Sequence, residues 1–143
     1  MECASFVDKV KENEVDIVEH TYKVIEQCKK LNETLNYFNT ISEESALRQA
    51  RELQKQVKNG SNGLKNKKLL GGAVSAKDGI CVKGVESAAG SRILKGYRPL
   101  FDATVIKLIK EQGGIIIGKT AQDEFGFGGF SINVGIGFKV PKN

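Results

Sequence analysis

The chain has 143 residues, of which 40% are hydrophobic and 27% charged, a composition typical of one folded domain and not of a disordered segment. No stretch approaches the roughly 20 consecutive apolar residues that a membrane-spanning helix requires, which argues against a membrane protein. The net charge of +5 is spread along the chain, so it permits contact with a polyanion such as RNA without requiring it.

The cysteines, the single histidine and the first residues indicate a reducing compartment and no metal site. Cys3, Cys28 and Cys81 lie far apart without zinc-ligand spacing, so we expect unpaired thiols. His20, in an acid-rich helical stretch, is not expected to be catalytic. The N-terminal segment contains acidic residues, which makes it unlike a signal or transit peptide. The cytoplasm is therefore the expected location, or an organelle if a presequence precedes this sequence.

Residues 1–60 are predicted to be helical. Between residues 18 and 28, apolar side chains recur at three- and four-residue steps with charged residues between them. Ser42 is predicted as the N-cap of a further helix, and two acidic residues follow it where they suit the helix dipole. Asn59 and Gly60 are typical of the end of that helix.

After a polar, glycine-bearing stretch at residues 58–68, which predicts a loop, the character of the sequence changes. Three apolar or β-prone runs are predicted there: residues 69–76, 82–85 and 115–117. Between the last two, Asp102 is expected to cap a helix that ends at Gly113 and Gly114. The succession of helix, double glycine and buried strand indicates an α/β unit.

Lys77 follows the first of these predicted strands directly. A lysine drawn from a buried strand is disfavoured as the ammonium form, and the resulting lower pKa would make it a base near neutral pH. From the residues alone two structural interpretations stay open. The amine could reach water at the strand end, or it could pair with Asp78.

Two glycine-containing stretches are rejected as nucleotide-binding motifs. Gly118-Lys119-Thr120 has the ending of a phosphate-binding loop, but three isoleucines precede it and predict a strand rather than a flexible cradle. Residues 126–129 lack the strand-then-helix setting of a dinucleotide fingerprint. No cofactor site is predicted in this chain.

The order of the segments resembles the N-terminal third of the amidase-signature family. The similar segments are AVSAKDGI (residues 73–80), FDATV (101–105), IIGKT (116–120) and DEFGFG (123–128). The resemblance implies an α/β fold in which N-terminal helices precede the start of a mixed β-sheet flanked by helices, incomplete in this chain. Residues 1–143 would then be the N-terminal portion of a single domain, helical over 1–60 and α/β over 69–143.

The resemblance also implies a catalytic triad of two serines and a lysine, in which Lys77 is the lysine. In the family this lysine, held neutral, takes a proton through a bridging serine, and the activated serine attacks a carboxamide and releases ammonia. Both family serines lie in a glycine- and serine-rich segment, and the sequence reaches Asn143 without one. We therefore expect the 143-residue chain to be inactive alone.

A glycine-rich loop is the candidate substrate-binding segment, because it matches the family loop that borders the substrate carbonyl. Its candidate residues are Phe127, Gly128, Gly129 and Ser131. The family's M-G-S-S reads Phe-Gly-Gly-Phe here, which leaves backbone donors at Gly128 and Gly129. Gly79 also replaces the asparagine that follows Lys-Asp in the family. Asp102 and Asp123 match family positions that we interpret as helix caps.

Within the family, the segments are most similar to those of the A subunits of glutamyl-tRNA(Gln) amidotransferases. This implies a glutaminase whose ammonia converts Glu-tRNA(Gln) to Gln-tRNA(Gln) in translation, with subunits B and C as partners, glutamine as substrate and tRNA bound through the complex. ATP and Mg²⁺ would belong to the partner subunit. Two alternatives stay open: another hydrolase of small amides, and a truncated piece that binds a partner through its helical half.

Overall fold

The computed structural model describes residues 3–142 and contains helices around a small sheet. The helices are α1 (Cys3–Lys11), α2 (Ile17–Leu35), α3 (Glu43–Lys58) and α4 (Thr104–Glu111). The strands are β1 (Phe38–Ile41), β2 (Ala73–Lys77) and β3 (Ile115–Thr120). Short 3₁₀ turns lie at Asn62–Leu64, Arg92–Leu94 and Glu124–Gly126. None of the helices in this described part combines the length and apolarity needed to span a bilayer.

The sheet is mixed, with strand order β1-β3-β2. β1 runs antiparallel to β3, and β2 runs parallel to it with Lys77 opposite Thr120. Helices therefore precede and flank a small mixed sheet, which confirms the predicted fold class. The rejection of a phosphate-binding loop at Gly118 is also supported, since Gly118, Lys119 and Thr120 all lie in β3.

Hydrophobic core residues pack against both faces of β3. Ile115 and Ile117 pack into a cluster with α1, α2 and α3, whereas Ile116 packs on the other side with Ile106 of α4. Alternation along a strand sends successive side chains to opposite faces, so a run of three isoleucines suits a strand covered on both sides. Burial of these side chains stabilises the fold by about 1.5–3 kcal/mol each.

α2 is held at its first turn by two polar side chains. The Asp16 carboxylate accepts hydrogen bonds from the N–H groups of Val18 and Glu19 at 2.9 and 3.0 Å. The remaining N–H of Ile17 donates to the buried Gln54 side chain of α3 at 2.6 Å. These bonds satisfy donors that a helix leaves free at its start, and they join α2 to α3.

Of the two predicted helix caps, one is confirmed in position and the other is wrong. Ser42 is the N-cap residue of α3, but its hydroxyl makes no cap hydrogen bond and instead donates to the Ile116 carbonyl at 3.1 Å, which ties α3 to the sheet. Asp102 does not cap α4, whose N-cap is Ala103. The Asp102 carboxylate instead accepts from the Lys83 N–H at 2.8 Å and pairs with Lys110. In both cases a partner distant in sequence takes the side chain away from the helix end.

Three predicted segments also differ from the structure. β1 interrupts the region predicted as entirely helical, since β3 offers it an antiparallel partner. The strand predicted over 69–76 is shorter, because residues 69–72 form a turn before β2. Residues 82–85 form turns and no strand, although Val82 and Val85 are buried in the α4 cluster. The predicted ends of α3 and α4 are confirmed, with positive φ at Gly60 and Gly113.

Candidate active site

Lys77 and Thr120 end two neighbouring parallel strands. The carboxyl ends of parallel strands meet at one edge of a sheet, which is where α/β folds place binding and catalytic groups. The Lys77 side chain is exposed, so its predicted burial behind the strand is wrong for this chain. β2 is an edge strand, and its alternation turns Ala76 into the core while Lys77 faces the side that residues 3–142 leave open.

Lys77 lines a cavity of ≈340 Å³ together with part of the predicted substrate loop. The lining residues are Lys77, Thr120, Ala121, Gln122, Asp123, Gly126, Gly128, Gly129 and Ser131. The structure therefore brings the candidate lysine together with Gly128, Gly129 and Ser131. Phe127 does not line the cavity and is 84% exposed.

Larger pockets exist elsewhere, including one of ≈670 Å³ between α1 and residues 65–68. That pocket is lined by lysines, Asn66, Asp8 and apolar α1 side chains. Nothing in it matches the segments that resemble a catalytic family. We therefore choose the smaller cavity at Lys77 as the candidate site because of the residues that line it, and not because of its volume.

Asp78 does not pair with Lys77, which removes one of the interpretations left open by the sequence. Asp78 is fully buried, and its carboxylate accepts hydrogen bonds from the Asn39 amide at 2.9 Å and the Gly90 N–H at 2.9 Å. The Ala88 N–H donates to it at 3.3 Å. Asp78 thus holds the 88–90 turn against the sheet while Lys77 faces the cavity.

The buried lysine of this region is Lys119, which lies on β3 beside Ala76. Its Nζ donates to the Ser87 hydroxyl at 2.7 Å and to the Asp78 carbonyl at 2.9 Å, and lies 3.8 Å from an Asp78 carboxylate oxygen. Burial lowers the pKa of Lys119, against the opposing charges of Asp78 and Cys81. In the sequence, Lys119 follows the three isoleucines of β3 after one glycine, and it was interpreted above only as part of a rejected phosphate-binding motif.

The glycine-rich loop is organised by Asp123, a role that the sequence prediction of a helix cap did not anticipate. Asp123 is buried and makes no cap hydrogen bond to the 3₁₀ turn that follows it. Its carboxylate accepts from the Ser131 N–H at 3.0 Å and from the Asn133 N–H at 2.7 Å. The Asp123 carboxylate therefore fixes the backbone of the loop at two positions, one of which, Ser131, lines the cavity.

The two glycines predicted as backbone donors differ in their availability. The Gly128 N–H already donates to the Gly126 carbonyl at 3.1 Å, so it is not free for a ligand. The Gly129 N–H makes no hydrogen bond to any of residues 3–142. Of the two glycines, Gly129 is the one whose N–H is available to a substrate.

Gly79 joins the ends of β2 and β3. Its N–H donates to the Gln122 side-chain oxygen at 2.8 Å, and a Cβ at this position would approach that oxygen to 2.9 Å. A side chain at position 79 would therefore require Gln122 to move.

Other chemically interesting side chains lie away from this cavity. Ser87 and Ser91 are buried outside the helices and strands, and Ser75 is exposed on β2. The His20 ring packs against the Phe6 ring at an angle of 41° with centroids 4.4 Å apart, and burial together with the charge of Lys23 lowers the pKa of His20. All three cysteines are unpaired, as predicted. Within residues 3–142, no cluster of three or more histidine, cysteine or acidic side chains could hold a metal ion.

A family model described as Amidase matches residues 19–140. The chain belongs to the amidase family. The match includes β2, α4, β3 and the glycine-rich loop, so the resemblance inferred from the order of these segments is confirmed.

Curated relatives support a narrower similarity. The chain is 36% identical over 137 residues to the A subunit of the glutamyl-tRNA(Gln) amidotransferase of Clostridium novyi (strain NT), a match that covers 96% of this chain and 27% of the relative. It is 37% identical over 123 residues to the chloroplastic/mitochondrial A subunit of Zea mays, covering 86% of this chain and 22% of the relative. The chain thus spans about a quarter of the length of these relatives.

Solved structures of amidases share the fold. A peptide amidase from Stenotrophomonas maltophilia superposes with a TM-score of 0.79 at 24% identity, over 87% of this chain and 25% of the other. A bacterial aryl acylamidase of the amidase-signature family gives a TM-score of 0.83 at 21% identity, over 92% and 27%. At these identities the similarity shows the fold alone.

Proposed function

We propose that this chain supplies the lysine base of a glutamine amidase, as the N-terminal part of a glutamyl-tRNA(Gln) amidotransferase A subunit. The observation that carries the proposal is the position of Lys77. It stands at the shared end of two parallel strands and faces a cavity walled by Gly128, Gly129 and Ser131. The relatives named for this enzyme match nearly the whole chain.

The chemistry follows from an unprotonated Lys77 amine. The amine accepts a proton through a bridging serine, and the serine nucleophile so activated attacks the amide carbon of glutamine. The carbon–nitrogen bond breaks, the leaving nitrogen takes a proton and departs as ammonia, and a water molecule then hydrolyses the acyl-enzyme to glutamate. We assign both serines to a part of the protein outside these 143 residues.

An amine base must be neutral when the substrate arrives. Lys77 is exposed in residues 3–142, so the burial that disfavours its ammonium form has to come from whatever covers the cavity. We propose that the serine-bearing segment and the substrate provide this cover. The free Gly129 N–H would then donate to a polar group of the bound glutamine.

The proposal extends to the partners and the location of the protein. Subunits B and C would receive the ammonia, and the subunit that activates tRNA-bound glutamate would hold ATP and Mg²⁺. We propose a cytoplasmic location, or an organellar one like that named for the Zea mays relative, which is called chloroplastic/mitochondrial. A fluorescent fusion of the complete gene product would distinguish the two locations.

The test is glutamine hydrolysis by the complete gene product that contains these residues, with and without subunits B and C. Lys77→Ala should lower kcat by about a thousandfold or more, because the triad loses its proton acceptor. Lys107→Ala, an exposed lysine of α4, is the matched control and should keep wild-type turnover.

Three results would contradict the proposal in different ways. Turnover retained by Lys77→Ala would remove Lys77 from the mechanism. Hydrolysis of simple amides without glutaminase activity would favour an independent small-amide hydrolase. Partner binding with no amide hydrolysis of either kind would favour a non-catalytic piece that binds through its helices.

A further inference from the structure

The loop that walls the cavity, residues 124–133, has no hydrophobic anchor of its own. Its side chains Phe127, Phe130 and Ile132 are 84%, 86% and 67% exposed. Exposed side chains contribute little packing energy, so hydrogen bonds must hold the loop. At its base the Glu124 N–H donates to the Asn133 carbonyl at 2.7 Å.

The Phe125 N–H donates to the Ala89 carbonyl and the Asn133 amide donates to the Phe127 carbonyl, each at 2.9 Å. The charged member of this set is Asp123, which is only 5% exposed. Its carboxylate accepts from the N–H groups of Ser131 and Asn133, an arrangement that we call the Asp123 clasp. Hydrogen bonds to a buried carboxylate are stronger than those between neutral groups. Ser131 has a φ of +55°, which is unfavourable for a residue with a side chain, so its N–H bond holds a conformation that the loop would otherwise leave.

The backbone of Gly128 packs directly against the same carboxylate. A Cβ at position 128 would stand 2.5 Å from Asp123 Cγ and Oδ2, closer than any real contact. The backbone of Gly128 does not have positive φ, so an alanine there would not be strained by its own conformation. The requirement for glycine at position 128 therefore comes from Asp123.

We infer that Asp123 is a positioning residue, which sets the distance between the substrate-binding loop and Lys77 through the clasp and through Gly128. The inference rests on the proposed amidase function of this cavity. Asp123 acts by holding the Gly129 N–H where a substrate can reach it, and takes no part in proton transfer. It therefore governs substrate binding, whereas Lys77 governs the chemical step.

The two roles separate in steady-state kinetics of glutamine hydrolysis by the complete gene product with its partner subunits. Asp123→Ala should raise KM by about tenfold or more and change kcat by less than about threefold, since it weakens binding without removing the base. Gly128→Ala should do the same, because its methyl group displaces the carboxylate. Gly63→Ala is the matched control, with open space around its Cβ position and no positive φ.

The double variant Asp123→Ala/Gly128→Ala is the sharpest test. Once the carboxylate is gone, the added methyl group has room, so the second substitution should raise KM by less than about twofold over Asp123→Ala. Multiplicative effects of the two substitutions would overturn the inference. A fall in kcat at unchanged KM in Asp123→Ala would also overturn it.

Hydrogen exchange keeps this test distinct from that of the proposed function. The amides of Ser131 and Asn133 should exchange at least about tenfold faster in Asp123→Ala than in the wild type and in Gly63→Ala. Unchanged protection would overturn the clasp itself, whatever the activity. Lost protection in a protein with no turnover dependent on Lys77 would instead overturn the proposed function, and the positioning role with it.

Discussion

Lys119 donates a hydrogen bond to the backbone carbonyl of Asp78 at 2.9 Å and lies 3.8 Å from the carboxylate of the same residue. Asp78 directly follows Lys77, so a buried cation on β3 holds the chain immediately after the proposed base on β2. The same Asp78 carboxylate accepts the N–H of Gly90. The Gly90 carbonyl in turn accepts from Gly135, which follows the cavity loop. One connected set of buried polar groups therefore links the strand end to the segment behind the loop.

Replacing Lys119 by methionine, which has a similar volume but no donor, should destabilise the protein by about 2–4 kcal/mol. The substitution leaves the buried Asp78 carboxylate without its cation and the Ser87 hydroxyl without its donor. Chemical denaturation measures the loss. Lys107→Met on the exposed face of α4 is the control and should change stability by less than about 0.5 kcal/mol. Equal stability of the two variants would show that the Lys119 contacts contribute nothing.

Asp102 should make stability depend on acid pH. Partial burial tends to raise the pKa of its carboxyl, but the hydrogen bonds from Lys110 and the Lys83 N–H outweigh burial, and the net pKa is lower than the usual 3.8. The folded state then holds the proton less well than the unfolded state. This contribution to stability is present above about pH 4 and is lost as the pH falls through the lowered value.

Asp102→Asn keeps an acceptor for Lys83 and loses the ion pair with Lys110. The substitution should lower the free energy of unfolding by about 1–2 kcal/mol at neutral pH. The difference from the wild type should shrink as the pH falls below about 4. Free energies of unfolding measured from neutral to acid pH test this sign. A difference that grew toward acid pH would contradict it.

Gly118→Ala should disrupt the pairing of β1 with β3. A Cβ at this position would come within 2.5 Å of the Thr40 carbonyl oxygen and 3.2 Å of the Ile41 Cα, and backbone atoms cannot rotate aside. We expect a loss of at least about 2 kcal/mol, seen as a lower Tm. Gly63→Ala adds the same methyl group in open space and should leave Tm nearly unchanged.

Gln54→Ala should weaken the contact between α2 and α3. The Gln54 oxygen accepts the Ile17 N–H at 2.6 Å in a buried setting, and its removal leaves that donor without a partner. The expected cost is about 1–3 kcal/mol in the free energy of unfolding. Gln56→Ala makes the same chemical change on the exposed face of α3 and serves as its control. Similar losses in both variants would point to helix propensity and not to the buried bond.

Much of the fold was predictable because its signals are local. Periodic apolar residues predicted α2 and α3, glycines predicted the ends of α3 and α4, and three isoleucines predicted the centre of β3. β1 was not predictable in this way. Its four residues are half-buried and form a strand because β3 lies beside them, across nearly eighty residues of sequence.

The candidate site was predictable in its members and not in its arrangement. The order of the segments alone singled out Lys77 and four candidate loop residues, of which Gly128, Gly129 and Ser131 do line the cavity with Lys77. The catalytic role of Lys77 and the substrate-binding role of the loop remain predictions, for which the kinetic experiments above are the test.

The sequence by itself determined the family, the positions of most helices and strands, and which residues the candidate site contains, because these depend on residue order and local periodicity. Only the tertiary structure decided that Lys119 is buried while Lys77 is exposed, and that Asp123 holds a loop instead of capping a helix. The physical reason is that burial and hydrogen-bond partners depend on which elements cover a residue. Alternation along a strand shows which side chains share a face, but not which face is covered.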